Sequence, residues 1–426
     1  MNKKKYVNRN YLTTTRIIAL GFLITVIVGT ILLSLPIASA NGTWTDLLTA
    51  AFTSTTSVCV TGLVVVDTFS YWSLFGKGVI LILIQIGGLG IVSIITLFML
   101  LFRMKITLKS TMLLQDAFNL NSKQGLLKFT IKVIKGTFLI EGIGAFIYSF
   151  YYCREYGLLK GIWFSVFHAV SAFCNAGLDI MGADSLIPYH SNLLMMLNTS
   201  FLIIMGGIGF IVWWDTVEAF RRIRTKKCSI RSAWNGVHLQ TKIAIFMTLL
   251  LLIGGTVVIY FLERSNPDTL GNLSEKDRIL NAFFQSVTLR TAGFAAVPQA
   301  ALRPVTAFFG ALLMMIGGSP VGTAGGMKTV TIAVIFFTFA AMIRNHEDTE
   351  VFKRNIPVSV VKKAVAIVFL SMSTIFIMTI LLMATNDVNL LDALFEVASA
   401  VCTVGLSRNL TPVLNTAGQI IIMICM

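Results

Sequence analysis

Long apolar stretches alternate with short polar and basic stretches along almost the whole chain. A helix needs about 20 apolar residues to cross the ~30 Å hydrocarbon core of a bilayer, so each long stretch predicts a transmembrane helix. The predicted helices form two sets, which lie before and after a series of shorter segments. The first set covers residues 17–35, 129–152, 243–262 and 364–384, and the second covers residues 78–102, 192–214, 305–342 and 416–426.

The shorter segments share one pattern, an apolar helical stretch that ends in a turn and a glycine. A phenylalanine precedes each glycine by ten residues, and the glycines recur at a period of about 115 residues, which indicates an internal repeat. We therefore predict an all-α membrane protein of four tandem units, each a helix, a re-entrant pore loop and a second helix, arranged with pseudo-four-fold symmetry around one central pore. The repeated pairs are Phe52 and Gly62, Phe167 and Gly177, Phe283 and Gly293, and Phe395 and Gly405.

Charged residues make up 12% of the chain, about half the share in soluble proteins, and the net charge is +15. Most lysines and arginines lie in four stretches that flank apolar spans, which is typical of cytoplasmic segments. Membrane topology therefore explains the basic charge, and a nucleic-acid surface is not predicted. The predicted boundaries are a cytoplasmic N-terminus at 1–16, pore units at 17–102, 129–220, 243–343 and 364–426, and cytoplasmic linkers at 103–128, 221–242 and 344–363.

The residues around the repeated glycines carry the predicted ion-binding chemistry. Non-helical backbone inside a membrane is tolerated only where protein buries it or where it lines a wet cavity. Four such loops on one axis would replace the hydration shell of a cation with carbonyl oxygens. These loops contain no Asp or Glu, which disfavours Mg²⁺ and Ca²⁺ and favours a large monovalent cation. The predicted filter residues are Val60, Thr61, Gly62, Asn175, Ala176, Gly177, Thr291, Ala292, Gly293, Thr403, Val404 and Gly405.

A glycine-rich stretch at residues 317–328 interrupts the apolar span at 305–342. Its five glycines and one proline do not support a straight helix. We predict a flexible loop that obstructs the pore just below the filter, with a helix kink packed against its neighbours as the alternative. The predicted gate residues are Gly317, Gly318, Gly322, Gly325, Gly326 and Lys328.

Charged side chains within the predicted membrane region are costly and therefore informative. Lys328 either repels cations when the loop is closed or extends to the cytoplasm. Arg290 is predicted to support the third filter loop from behind by donating to carbonyl oxygens or to a carboxylate. Glu141 is a candidate partner for either cation, and His168 is predicted to be a packed core residue.

The four glycine motifs resemble those of the superfamily of bacterial Trk and Ktr and plant HKT potassium transporters, and most closely those of the Ktr pore subunit. The resemblance covers nearly the whole chain, and it identifies the four repeated glycines with the selectivity filter of the family. Glycine at position 62 favours K⁺, because Na⁺-permeable members typically carry serine there. The motifs are VCVTGL at 58–63, FCNAGL at 173–178, TLRTAGF at 288–294 and AVCTVGL at 400–406.

The resemblance also implies a cellular setting. It implies passive or Na⁺-linked K⁺ uptake in the plasma membrane of a bacterium, with a cytoplasmic N-terminus and a gate loop in the third unit. It implies a homodimer on a cytoplasmic ring of nucleotide-binding regulatory subunits, which would dock on the three basic linkers. No cofactor, structural metal or disulfide framework is expected in this chain, because its six cysteines and four histidines show no ligand spacing.

Three alternatives remain open at this level. An intramembrane serine enzyme would use Ser319 with His168 as its base, although no GxSxG motif surrounds Ser319. A sodium or mixed-cation transporter would share all the motifs. A non-conducting product is the third, because the final stretch 416–426 spans only about 16 Å as a helix, so the fourth unit is expected to lack the cytoplasmic half of its second helix.

Overall fold

The computed structural model describes residues 14–90, 93–94, 96, 126–226, 229–346, 348–352 and 354–426, and this part is almost entirely helical. The predicted helical character of the chain is therefore confirmed. Most of the predicted segments 1–16 and 103–128 lies outside the described residues. The helices are α1 Thr14–Ser34, α2 Leu47–Val58, α3 Thr68–Tyr71, α4 Leu74–Leu89, α5 Leu126–Tyr156, α6 Leu158–Cys174, α7 Leu193–Gly207, α8 Phe210–Lys226, α9 Ile230–Asn235, α10 Leu239–Glu263, α11 Glu275–Thr288, α12 Pro304–Met315, α13 Thr329–Ile343, α14 Val358–Thr385, α15 Leu390–Val401 and α16 Thr416–Cys425.

The helix that opens each predicted unit is long and apolar enough to cross a bilayer. Within the described residues, α1, α5, α10 and α14 are the unbroken helices that meet this criterion, and the bent pair α7 and α8 gives a fifth if it is counted as one span. We call the shorter helices α2, α6, α11 and α15 the inner helices. Three of them begin after a side-chain cap that accepts hydrogen bonds from the first turn, namely Asp46, Ser274 and Asn389.

Among the described residues, the second helix is interrupted in the first and second units as well as in the third, which corrects the predicted continuous spans at 78–102 and 192–214; residues 97–102 of the first span lie outside the described part. Helix α4 ends just before Gly90, and α7 ends just before Ile208 and Gly209. Both of these glycines have positive φ, +77° and +96°, a conformation that ends a helix at little cost only for glycine. The chain bends by 97° between α7 and α8.

The helices pack in a closed circle of units. The first helix of each unit contacts the inner helix of the same unit. The second helix of each unit contacts the inner helix of the next unit, and the fourth unit contacts the first in the same way. The four inner helices therefore surround a common centre. The contacts between units are α4 with α6, α7 with α11, α12 with α15, and α16 with α2.

The prediction of an all-α chain is wrong in one short segment. Strands β1, Glu350–Val351, and β2, Arg354–Asn355, pair as an antiparallel hairpin within the predicted linker 344–363. Val351 alternates with an exposed neighbour and is buried in a small cluster with Ile243 and Ala333. This cluster fixes the hairpin against α10 and α13. The sequence of the linker predicts only a cytoplasmic connection, and no strand is predicted in it.

Arg408 forms an ion pair within the fourth unit and joins this unit to the third through backbone carbonyls. Arg408 Nε lies 2.6 Å from Asp392 Oδ1, and Arg408 Nη1 donates to the carbonyl oxygens of Gln299 and Leu302. The two charged side chains are only 12% and 27% exposed. We expect Arg408→Met to lower the free energy of unfolding by about 2 kcal/mol, because the carboxylate and both carbonyls lose their donor. Thermal unfolding in detergent measures this change.

The Arg222–Glu218 pair provides the control for this experiment. Its side chains are 40% and 51% exposed, so Arg222→Met is expected to cost no more than about 0.5 kcal/mol. Equal losses of stability in the two variants would contradict the structural role of Arg408.

Candidate functional site

Each inner helix is followed by a loop, which we call a glycine loop, at residues 59–63, 175–178, 289–294 and 402–406. All four repeated glycines in these loops have positive φ, between +65° and +100°. The residue two positions before each glycine also has positive φ, although none of these residues is glycine and three are β-branched. Such a conformation costs of order 1–3 kcal/mol, so the surrounding structure must hold the loops in place. These residues are Val60, Asn175, Thr291 and Thr403.

The four glycines meet in a ring. A Cβ atom added to any one of them would collide with the carbonyl oxygen of the residue that precedes the glycine of the next loop. The relation runs through the units in chain order and returns from the fourth to the first. Only glycine allows this approach of one backbone to another. The pairs are Gly62 with Ala176 at 2.5 Å, Gly177 with Ala292 at 2.7 Å, Gly293 with Val404 at 2.6 Å, and Gly405 with Thr61.

A hydroxyl group on each inner helix fixes the glycine loop that follows it. In the first and fourth units the N–H of the glycine donates to Thr56 Oγ1 at 2.9 Å and to Ser399 Oγ at 3.0 Å. In the second and third units Ser171 and Thr288 donate to the carbonyl after the glycine, at 2.5 Å and 2.7 Å. These four residues were not predicted from the sequence. Their common position, five or six residues before each glycine, is the signal that could have revealed them.

In the third inner helix the sequence repeat pairs Phe283 with Gly293, but the fully buried phenylalanine is Phe284. A fully buried phenylalanine lies four residues before the bracing hydroxyl in all four units, and in the third unit it is Phe284. Phe283 is only partly buried. In the third unit the bracing hydroxyl lies five residues before the glycine, and in the other units it lies six residues before it. The buried phenylalanine keeps its position relative to the hydroxyl on the same helix, and its distance from the glycine therefore changes by one residue.

A cavity of about 650 Å³ opens on one side of the glycine ring. All four repeated glycines line it, together with residues that follow them in each unit. The described lining includes Asp67, Asp179 and Asp184 and contains no lysine or arginine. Negative charge along a cavity raises the local concentration of cations.

An irregular segment at residues 316–328, which we call the crossing segment, joins α12 to α13 on the other side of the ring. It contacts residues that precede the glycines, whereas the cavity is lined by residues that follow them. The Thr323 hydroxyl lies 3.0 Å from the Phe173 carbonyl oxygen and 3.2 Å from Asn175 Oδ1. At Gly325 an added Cβ would collide with Thr403. The crossing segment therefore extends beneath the ring from the second unit to the fourth.

Backbone hydrogen bonds anchor the crossing segment to the broken end of α7. Ser319 N donates to the Gly207 carbonyl at 2.8 Å, and Thr323 N donates to the Gly206 carbonyl at 3.1 Å. The predicted gate glycines all lie in this segment, and their small size permits the contact. An added Cβ would lie 2.7 Å from the Gly207 oxygen at Gly318 and 2.8 Å from the Gly206 oxygen at Gly322, while Gly326 has φ +64° and Gly317 packs against Gly325.

The two cationic residues singled out in the sequence, Arg290 and Lys328, both bind backbone carbonyls of the crossing segment. Arg290 is 7% exposed, and its Nη2 donates to the Gly317 carbonyl at 3.3 Å. Lys328 Nζ donates to the Ala324 carbonyl at 2.6 Å, within the segment itself. Neither residue belongs to an ion pair among the described residues. Arg290 thus links the third glycine loop to the crossing segment.

Glu141 was a candidate ion-pair partner for Arg290 or Lys328, but in the structure it pairs with neither of them. It is buried and accepts hydrogen bonds from Gln85 Nε2 at 3.2 and 3.3 Å, and the Cys174 thiol lies 3.9 Å away. Glu141 thereby joins α4 and α5 behind the second glycine loop. His168 is fully buried against the rings of neighbouring aromatic residues, as predicted.

Comparison with known proteins gives one consistent result. Residues 3–426 match the sequence profile of the TrkH family, which is described as a cation transport protein. Potassium/sodium uptake protein NtpJ of Enterococcus hirae is 37% identical to this chain, over 97% of this chain and 90% of its own length. Ktr system potassium uptake protein B of Bacillus subtilis is also 37% identical, over 100% of this chain and 92% of its own length.

The fold has a match among solved structures. The crystal structure of the potassium transporter TrkH from Vibrio parahaemolyticus superposes with a TM-score of 0.72, covering 100% of this chain and 84% of that chain. The identity between the two sequences is 16%, so this similarity concerns the fold alone.

Proposed function

The chain belongs to the TrkH family of cation transport proteins, and from this premise we propose that it takes up potassium ions through a pore at the ring of four glycines. Members of this Trk/Ktr family are transporters and not enzymes, so the serine-enzyme alternative is rejected. The observation that carries the proposal is the cyclic relation between each glycine and the carbonyl of the next loop. Four loops that meet in this way would direct their backbone oxygens toward one ion pathway, which supports the proposal.

Backbone carbonyls at this ring would compensate a K⁺ ion for its lost water. The carbonyls that precede the glycines, those of Thr61, Ala176, Ala292 and Val404, already lie at the contact between neighbouring loops. Carbonyl oxygens replace the hydration shell of K⁺ without the strong field of a carboxylate. Each inner helix ends where its glycine loop begins, so the partial negative charge of four helix C-termini adds to the attraction.

The membrane potential would set the direction of transport, and the placement of charge indicates which side of the ring faces outward. The acidic cavity would collect cations on the extracellular side of the ring, and the membrane potential, about 2.3 kcal/mol per charge for every 100 mV, would drive them inward. The crossing segment lies on the cytoplasmic side of the ring in this arrangement. We assign it the role of a gate, because it covers the ring from the second unit to the fourth and contains five glycines.

The setting of the protein is proposed from its relatives. The Bacillus subtilis relative is named as a Ktr system protein, which supports further components of such a system here. We propose a homodimer on a cytoplasmic ring of nucleotide-binding regulatory subunits, which dock on the basic linkers 103–128, 221–242 and 344–363. The site of action would be a bacterial plasma membrane, with the N-terminus in the cytoplasm. Sodium as coupling ion, or as a second transported ion, is supported by the name of the Enterococcus hirae relative.

Uptake of ⁸⁶Rb⁺ in cells that lack other potassium uptake tests the proposal. The chain is expressed with a Ktr-type regulatory subunit, and K⁺ or Na⁺ is added as competitor. Competition by K⁺ and not by Na⁺ is expected. Equal competition by both ions would favour the mixed-cation alternative. No uptake with the chain present in the membrane would favour a non-conducting protein.

Removing one bracing hydroxyl is expected to loosen the ring. Thr56→Val leaves the Gly62 N–H without its acceptor, so we expect the preference for K⁺ over Na⁺ to fall about fivefold, as the loss of one buried hydrogen bond allows. The competition assay measures this preference. Thr55→Val is the matched control, because the Thr55 hydroxyl donates to Ala51 within the helix and does not contact a glycine loop. Unchanged preference in Thr56→Val would refute a bracing role.

A further inference from the structure

The inner helices carry a second repeated feature, which lies one residue after the buried phenylalanine. A polar side chain occupies this position in all four units, and all four are buried. Buried polar groups in an otherwise apolar helix need a partner, so their recurrence at one register suggests a common contact. The four residues are Thr53, His168, Gln285 and Glu396.

The contact is visible in the third and fourth units. Gln285 Nε2 donates to Gln299 Oε1 at 2.7 Å, and Gln299 Nε2 donates back at 3.2 Å. In the fourth unit the Thr411 hydroxyl donates to Glu396. Both partners lie six residues after the repeated glycine of their own unit. The polar side chain of the inner helix therefore binds the segment that leaves the glycine loop.

The second unit lacks this partner. Ala183 occupies the position six residues after Gly177, and alanine offers no side-chain hydrogen bond to His168. The four units thus differ in how firmly the segment after the glycine is attached to the inner helix. The fourth unit has the only carboxylate among the four positions.

Glu396 makes the most extensive contact. Besides Thr411, it accepts a hydrogen bond from Ser407 Oγ at 2.9 Å, and Ser407 Oγ in turn accepts from Leu410 N at 3.1 Å. Glu396 is fully buried, and none of the ion pairs among the described residues includes it. The nearby cation of Arg408 pairs with Asp392 instead. Within the described part of the chain, the carboxylate of Glu396 thus accepts only from the segment that follows Gly405, through the hydroxyls of Ser407 and Thr411 and the backbone N–H groups of Arg408 and Thr411.

The fourth glycine loop is consequently fixed on both sides of Gly405. Ser399 holds the Gly405 N–H, and Glu396, one helical turn earlier on the same face, holds the chain from Ser407 to Thr411. A loop fixed at both ends keeps its carbonyls at one distance from the axis, which is what discrimination between cations of different radius requires.

We propose that Glu396 is a positioning residue that sets cation selectivity by holding the exit of the fourth glycine loop. This inference rests on the proposed function. It requires both acceptor oxygens of the carboxylate, because Thr411 donates to one of them and Ser407 donates to the other. Glu396→Gln is therefore expected to lose part of the selectivity, because its amide nitrogen donates and replaces one acceptor oxygen, whereas Glu396→Ala is expected to lose the whole contact.

The test is the K⁺/Na⁺ competition assay on ⁸⁶Rb⁺ uptake, scaled to the amount of protein in the membrane. We expect the preference for K⁺ to fall about fivefold or more in Glu396→Ala and by a smaller factor, about two- to threefold, in Glu396→Gln. Thr411→Val and Ser407→Ala remove the donors one at a time and are expected to shift the preference in the same direction as Glu396→Ala. These two variants decide the question if Glu396→Ala does not reach the membrane.

Glu263→Ala is the matched control for burial of a carboxylate. Glu263 is also fully buried and accepts from Asn266 and Thr269, but it contacts no glycine loop. It is expected to lower the amount of folded protein and to leave the preference unchanged. Unchanged preference in Thr411→Val and Glu396→Ala would overturn the inference and leave the proposed function intact. An unaltered chain that takes up Rb⁺ without preferring K⁺ would overturn both.

Discussion

Replacement of Gly62 by serine is expected to lower the preference for K⁺ over Na⁺ by about tenfold or more. Gly62 has φ +100°, which serine adopts only with strain, and its Cβ would lie 2.5 Å from the Ala176 carbonyl oxygen. The second loop must move, or the first must turn, and either change alters the distances of the carbonyls from the axis. Strain of 1–3 kcal/mol is sufficient for a change of this size. Competition of K⁺ and Na⁺ against ⁸⁶Rb⁺ uptake measures it.

Gly42→Ser separates backbone strain from the contact between loops. Gly42 also has positive φ, +68°, but no atom lies within 4 Å of its added Cβ. This control is expected to keep the full preference for K⁺ even if the protein is slightly less stable. Loss of preference in both variants would show that general destabilisation, and not the ring, is responsible.

Replacement of Thr323 by valine is expected to raise the rate of ⁸⁶Rb⁺ uptake about fivefold. This increase is expected under conditions in which the crossing segment closes the pathway in most molecules of the unaltered chain. The Thr323 hydroxyl is the side-chain contact from the crossing segment to Phe173 and Asn175, directly below the second glycine loop. Its loss removes about 1 kcal/mol from the closed arrangement and shifts the equilibrium toward the open one. Uptake is compared without and with the regulatory subunit, because the difference between these rates reports the closed population.

Thr256→Val provides the control for a lost threonine hydroxyl in the membrane region. The Thr256 hydroxyl donates to Leu252 within α10, so its removal leaves the crossing segment untouched. Its uptake rate is expected to match that of the unaltered chain. If Thr323→Val also matched the unaltered chain, or was slower, the crossing segment would not act as the closed gate.

The periodicity of the sequence was sufficient to predict the main elements of the fold. Four first helices, four inner segments and the repeated glycines follow from apolar length and from one recurring Phe–Gly spacing, since each unit must bury the same surface. The break at 317–328 was also predictable, because proline and several glycines cannot continue a helix. Gly90 and Gly209 were harder, because a glycine in an apolar span is as common in packed membrane helices as at a break.

The contacts that hold the site could be only partly derived from the sequence, where the common position of the four hydroxyl residues before the glycines is the one available signal. Bracing by Thr56 and its equivalents depends on which face of a short helix meets the loop, and that face is decided by tertiary packing. The choice of Phe284 over Phe283 has the same cause. The partner of Glu141 lies 56 residues away on another helix, and only the assembled fold shows that it is Gln85 and not a cation.

The position of a bound ion tests the central proposal most directly. Anomalous diffraction from crystals grown in Rb⁺ would locate the ion relative to the carbonyls of Thr61, Ala176, Ala292 and Val404. We predict a peak on the axis of the glycine ring, within coordinating distance of these oxygens. Rb⁺ bound only in the acidic cavity, or at any other place with an empty ring, would contradict a carbonyl-lined selectivity filter at the four glycines.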